Sequence, residues 1–258
     1  NATTGVVTVA DGTKLDFETA TSHTIVVKAT SSDGSTNTQS FTIQVGNVND
    51  NGVVITDSDA ATNLVNENAA NGTVVGVTAK GVDGDVGATI TQYELVDNAG
   101  GRFAINATTG VVTVADGTKL DYESATSHTI VVKATSSDGS TNTQSFTIQV
   151  GNVNDNGVVI SDSDTAANQV NENAANGTVV GVTAKGVDGD AGTTITQYEL
   201  VDNAGGRFAI NATTGVVTVA DGTKLDFESA TSHTIVVKAT SSDGSTNTQS
   251  FTIQVGNV

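Results

Sequence analysis

One feature limits what this chain can fold into: it repeats itself. The segment NATTGVVTVADGTKLDFE opens at Asn1, returns at Asn106 with Tyr122 in place of Phe17, and returns again at Asn211. The period, 106 − 1, is 105 residues, close to the commonest size of an independently folding domain. Residues 1–48 and 106–153 differ only at Phe17/Tyr122 and Thr19/Ser124. Residues 49–105 and 154–210 differ at Thr56/Ser161, Ala60/Thr165, Thr62/Ala167, Leu64/Gln169, Val86/Ala191 and Ala88/Thr193. The 258 residues therefore divide into a C-terminal half repeat, 1–48, and two whole repeats, 49–153 and 154–258. Half a repeat leaves an apolar face uncovered. It reads as a boundary within a longer chain, or alternatively as an acceptor for strands from another molecule.

Within a repeat the hydrophobic pattern has the period of strands. Phe146, Ile148 and Val150 alternate with polar residues, as do Ile130, Val132 and Ala134. Tyr93 and Leu95, Phe103 and Ile105, and the β-branched runs at 53–55, 74–79 and 110–114 complete the set. Turn-forming stretches at 97–101, 106–110 and 136–142 separate them. About seven short strands at this spacing predict an all-β, two-sheet sandwich, and no stretch carries the apolar stripe of a helix.

Composition removes several functions. With no Cys there is no disulfide framework, thiolate metal site or Cys nucleophile. With 28 acidic against 10 basic residues, net charge −18, nucleic acid is excluded as a partner. No run of about 18 apolar residues marks a transmembrane segment. At 36 % hydrophobic and 15 % charged, the chain is too apolar to be a disordered acidic tail. No Ser, His and Asp form a recognisable nucleophile motif, so an enzyme is not expected. His23, His128 and His233 are one strand-head position seen three times, a packing or edge residue rather than a zinc ligand.

The acidic residues are not spread evenly. They fall into short motifs in a fixed order: Asn66-Glu67-Asn68, Asp83-Gly84-Asp85, Leu120-Asp121-Tyr122-Glu123, Ser137-Asp138-Gly139 and Asn152-Val153-Asn154-Asp155-Asn156. That series resembles the x-E-N, D-x-D, L-D-x-E, A-x-D-x-G and D-x-N-D-N motifs of cadherin repeats. The resemblance runs along nearly the whole of each repeat and implies seven-stranded, Greek-key, immunoglobulin-like sandwiches in a linear array. Near-identical copies without Pro or Cys are more similar to the cadherin-like arrays of large, RTX-type bacterial surface adhesins than to animal cadherins. Departures are Asn47 and Asn152 where the first linker Asp is usual, and Gly-Val after the linker where Pro is common.

The resemblance further implies Ca²⁺ at the joints between repeats. One joint would gather Glu67, Asp121 and Glu123, the linker residues Asn154, Asp155 and Asn156, and Asp188, Asp190 and Asp243. The preceding joint would use Asp16, Glu18, Asn49, Asp50, Asn51, Asp83, Asp85 and Asp138. Glu172, Asp226 and Glu228 would begin a third. Ca²⁺ takes six to eight oxygens, and carboxylates this dense repel one another without a cation. Asp57-Ser58-Asp59 and Asp162-Ser163-Asp164 fit either an extra calcium loop or a solvated turn. The expected role is a non-enzymatic, extracellular, cell-surface extender serving adhesion or biofilm formation. Its partners would be the neighbouring repeats, with homotypic association into a filament as the alternative.

Overall fold

The computed structural model describes all 258 residues. They form two compact units, one of Asn1–Leu120 with Ser127–Val150 and one of Asp121–Thr126 with Gly151–Val258.

The first unit begins with a hairpin, β1 (Ser22–Thr30) and β2 (Thr36–Gln44), in which Ile25 faces Phe41. It continues through β3 (Val53–Asp57), β4 (Leu64–Asn66), β5 (Val74–Asp83), β6 (Ile90–Asp97), β7 (Phe103–Ile105), β8 (Val111–Val114), β9 (Ser127–Ser136) and β10 (Thr141–Gly151). These form two four-stranded sheets, in the orders β4-β10-β9-β6 and β3-β5-β8-β7.

The second unit repeats the plan with β11 (Val159–Asp162), β12 (Gln169–Asn171), β13 (Val179–Val187), β14 (Ile195–Asp202), β15 (Phe208–Ile210), β16 (Val216–Val219), β17 (Ser232–Ser241) and β18 (Thr246–Gly256). Its sheets are β12-β18-β17-β14 and β11-β13-β16-β15. Alternation puts one face of each sheet inward. Val182, Phe208, Val217, Leu225, Ile235 and Ile253 are buried together between them. The buried Tyr198 hydroxyl is satisfied, accepting from Gly186 N at 2.8 Å. The only helical elements are three-residue 3-10 turns, each capped by an Asp side chain, such as Asp221 accepting from Thr223 N.

The expected seven strands become eight because the first is split. β11 runs antiparallel to β13, whereas β12 crosses to the other sheet and runs parallel to β18. Side-chain chemistry makes the break: Asp162 Oδ1 accepts from Asp164 N and Thr183 N, both at 3.0 Å, and Asp164 Oδ1 accepts from Ala166 N at 2.9 Å. These bonds draw the backbone out of the ladder. The D-S-D motif is thus a turn that latches the strand switch, and Asp57 does the same in the first unit. Gly181 lets the switch pack: its φ is +75°, and a Cβ there would lie 2.2 Å from Ala167 O.

Residues 1–48 carry one pair of strands without a facing sheet. Phe41 is accordingly 50 % exposed, while the equivalent Phe146 is 9 % exposed. The free edge of β18 beyond β12 is occupied by its own side chains. Asn247 Oδ1 accepts from Thr248 N at 2.8 Å, Asn247 Nδ2 donates to Val158 O at 2.7 Å, and Gln249 Nε2 donates to Ser250 O at 3.3 Å.

His128 and His233 pack as expected. Their rings lie 6.3 and 6.4 Å from those of Phe103 and Phe208, and each Nε2 is buried without a hydrogen bond. Burial, and then the charge of Arg102 or Arg207, holds both imidazoles below the ordinary value of 6.5. A depressed histidine keeps the folded state unprotonated while the unfolded chain takes up a proton. Stability is therefore full above the unfolded value and falls as pH drops through it, by at most about 1.4 kcal/mol per pH unit for each histidine. Melting temperature in chelator should decline between pH 7 and pH 5 by this mechanism, and the decline should be weaker in a His128→Leu/His233→Leu variant.

Candidate metal centres

The carboxylates picked out in the sequence converge. In the first unit Glu18, Asp50 and Asp85 offer oxygens within 4.8 Å of one another, and Asp83, Asp85 and Asp138 do the same. Asp85 belongs to both sets and is buried, so it is the hub. Linker backbone holds it there: Asp50 N and Asn51 N each donate to Asp85 Oδ1 at 3.4 Å, and Asn51 Nδ2 donates to the same oxygen at 3.2 Å. Glu18 Oε1 accepts from Val86 N at 3.3 Å, and Asn49 Nδ2 reaches Asp138 O at 3.5 Å. Asp16 is the turn residue of its motif, accepting from Glu18 N at 2.9 Å and from Thr19 Oγ1 at 2.7 Å.

The second unit builds the same arrangement. Glu123, Asp155 and Asp190 lie within 4.8 Å of one another, with Asp190 buried to 5 % exposure. Asp190 Oδ1 accepts from Asp155 N at 3.3 Å and from Asn156 N and Nδ2, each at 3.2 Å. Its other oxygen, Oδ2, is buried with no hydrogen-bond partner. Glu123 Oε1 accepts from Ala191 N at 3.0 Å, and Asn154 Nδ2 donates to Asp243 Oδ2 at 2.9 Å. Asp188 Oδ1 accepts from Asp190 N at 3.1 Å. Glu172, Asp226 and Glu228 form a further set, in which buried Glu172 accepts from Phe227 N and Val258 N, both at 3.0 Å. Glu67 is likewise buried in the first unit, and Asp121 accepts from the Ser124 hydroxyl at 2.6 Å.

Two properties suit these sets to a hard cation. The ion pairs of the chain join Lys14, Lys119, Lys133, Lys224 and Lys238 to Asp11, Asp116, Glu94, Asp221 and Glu199, none of them a member of the sets named above. Three of the proposed carboxylate ligands are also held in their charged form by hydroxyl donors: Thr19 to Asp16, Ser124 to Asp121 and Ser229 to Asp226 hold those groups below the ordinary carboxylate value. An all-oxygen donor set with a buried, unpartnered carboxylate oxygen fits Ca²⁺ rather than a softer metal.

Sequence reasoning missed Ser140 and Ser245, whose Oγ atoms donate to Asp83 Oδ2 and Asp188 Oδ2 at 2.7 Å. The S-D-G-S spelling of the hairpin turn was the available signal. It also missed Gly84 and Gly189, where a Cβ would lie 2.9 Å from the Asn51 or Asn156 side chain.

The cadherin-domain family model matches residues 61–151 and 166–256. The chain belongs to the cadherin family.

Its relatives include human cadherin EGF LAG seven-pass G-type receptor 2, 32 % identical over 201 residues, which are 78 % of this chain and 7 % of that protein. Human protocadherin Fat 1 is 30 % identical over 239 residues, 91 % of this chain and 5 % of that protein. The chain thus spans a small part of either relative. Among solved structures, a mouse cadherin-23 fragment of extracellular repeats 22–24 superposes with a TM-score of 0.71 at 24 % identity, covering 94 % of this chain and 77 % of that one. Repeats 3–6 of protocadherin gamma B2 give 0.73 at 21 % identity, covering 93 % and 58 %. These likenesses show the fold alone. Cadherin domains are adhesion modules, not enzymes. No helix of this cadherin array is long and apolar enough to cross a membrane.

Proposed function

We propose that this chain is a calcium-stiffened extender segment of a large extracellular adhesion protein. The observation that carries the reading is the cluster of Glu123, Asp155 and Asp190, with a buried Asp190 oxygen that has no protein partner. Ca²⁺ would supply the missing positive charge and take six to eight oxygens at roughly 2.3–2.6 Å. Glu123, Asp155, Asp188, Asp190, Asp243 and the linker amides Asn154 and Asn156 would hold it, together with Asp121. In the preceding joint Asp16, Glu18, Asp50, Asp83, Asp85, Asp138, Asn49 and Asn51 would do so, and Glu172, Asp226 and Glu228 would open the next. The repeats would then be 1–48 (half), 49–153 and 154–258, each joint drawing ligands from the end of one repeat, the linker and the following repeat. Near-identical copies suit a spacer, because a rod needs length while a ligand site need occur only once. The same copies, free of Pro and Cys, support a bacterial surface adhesin, with biofilm formation as its setting.

Small-angle scattering with calcium and with chelator tests this reading. A larger maximum dimension with calcium is expected, and an unchanged one would sink the stiffening claim.

A further inference from the structure

Each linker ends in Asn-Gly, which places a chemically labile pair beside the carboxylate hub. The chain holds four Asn-Gly pairs, Asn51-Gly52, Asn71-Gly72, Asn156-Gly157 and Asn176-Gly177. Glycine after asparagine leaves its backbone nitrogen sterically open to attack the side-chain carboxamide.

The four pairs are not equivalent. In two of them the attacking nitrogen is tied down: Gly72 N donates to Val114 O and Gly177 N to Val219 O, both at 2.8 Å. The carboxamides of those pairs are tied too, Asn71 Oδ1 accepting from Gly117 N and Asn176 Oδ1 from Gly222 N, both at 3.0 Å. The linker pairs differ on the first count. Asn51-Gly52 and Asn156-Gly157 are exposed and lie outside any strand, and neither Gly52 N nor Gly157 N donates a hydrogen bond. Nothing lies within 4 Å of where a Cβ would sit on either glycine, so both glycines stand in open space. What restrains the Asn156 carboxamide is bonding to carboxylates, Asp155 Oδ1 at 2.9 Å and Asp190 Oδ1 at 3.2 Å. Those carboxylates repel one another unless a cation sits among them.

We propose that Asn156 and Asn51 are cation-gated deamidation sites. The deprotonated Gly157 nitrogen attacks Asn156 Cγ, forming the C–N bond of a succinimide as the Cγ–Nδ2 bond breaks and ammonia leaves with the proton. Water then opens either carbonyl of the ring, giving an aspartyl residue in its normal linkage or the isoaspartyl form, whose main chain runs through Cγ. Both products add a carboxylate to the set of Glu123, Asp155 and Asp190. The isoaspartyl form also lengthens the backbone just before Val158, which is fully buried. A joint deprived of its cation would thereby age into one with a different ligand set. The preference for linker pairs rests on backbone geometry alone, whereas the cation gating rests on the calcium reading above.

The test incubates the whole chain at mildly alkaline pH, with chelator or with calcium, and follows deamidation by peptide mapping. Calorimetry of the same material reads calcium binding separately. The Asn51 and Asn156 peptides are distinguished by Thr56 and Ser161, while Asn71 and Asn176 lie in identical segments and are read together. In chelator, conversion at Asn51 and Asn156 is expected to be several-fold faster than at Asn71 and Asn176, and calcium should slow it several-fold. Gly157→Ala, placed in open space, should slow Asn156 and leave Asn51 unchanged. Equal rates at all four pairs would overturn the proposal. Linker-selective conversion that calcium leaves unslowed, with calorimetry showing binding, would overturn the gating. The same conversion with no binding would instead overturn the calcium reading and leave the linker preference standing.

Discussion

Asp190→Asn is expected to lower calcium affinity at its cluster at least tenfold and to cut the calcium-dependent rise in melting temperature of the unit holding Gly151–Val258. Asp190 is the buried hub, receiving Asp155 N, Asn156 N and Asn156 Nδ2 on Oδ1 while Oδ2 has no partner. Asparagine preserves shape but removes one negative charge and presents either an amide donor or a weaker oxygen ligand. A ligand that binds only the folded state stabilises by RT ln(1 + [L]/Kd), so a tenfold loss of affinity removes about 1.4 kcal/mol at saturating calcium. The sign in chelator is what separates this from ordinary damage. Without calcium the parent carries uncompensated like charges, so the variant should be no less stable than the parent and its melting temperature should hold or rise. Calorimetric titration and thermal melts with calcium and with chelator read both arms. An equal loss of stability in the two conditions would mean that Asp190 serves only as a hydrogen-bond acceptor for the linker backbone.

Phe208→Ala should cost about 3–5 kcal/mol and melt the third repeat on its own, ahead of the second. β15 has only three residues and lies at the edge of its sheet, and Phe208, paired across the ladder with Val219, is its fully buried side chain. Removing the ring leaves a cavity against His233 and exposes a buried imidazole nitrogen. Phe41→Ala supplies the contrast: on residues 1–48 the ring is half exposed, and its truncation should cost less than about 1 kcal/mol. Differential scanning calorimetry in chelator should resolve an early transition for the first variant and none for the second. A single unshifted transition in Phe208→Ala would contradict the core assigned to this repeat.

Much of the fold was readable from residue spacing because a strand exposes its period directly. Ile130, Val132 and Ala134 alternate in the sequence and are all buried. The split of the first strand was not readable, since it depends on Asp57 finding Thr78 N across the sheet, a tertiary contact that local sequence does not encode. The same limit hid the hub. Asp83-Gly84-Asp85 marks two acidic residues as candidate ligands, but nothing in the motif says that the second is turned inward. It is buried because donors arrive from the linker some 34 or 35 positions earlier. Leu95, predicted to face inward with Tyr93, is only partly buried, since the register of β6 against β9 shifts just beyond it.

The side-chain bonds along the free edge of β18 bear on how such a chain can exist at all. Adjacent domains of nearly the same sequence are the partners most prone to exchange strands while they fold, because every edge finds a matching edge next door. Asn247 and Gln249 occupy Thr248 N and Ser250 O, backbone groups that an incoming strand would need, and Asn142 and Gln144 do the same at Thr143 N and Ser145 O one repeat earlier. With its edge silenced in this way, the module can be copied without each added copy becoming a trap for the last. An edge whose backbone groups are already taken offers less to a neighbouring copy, which favours an array built from near-identical repeats.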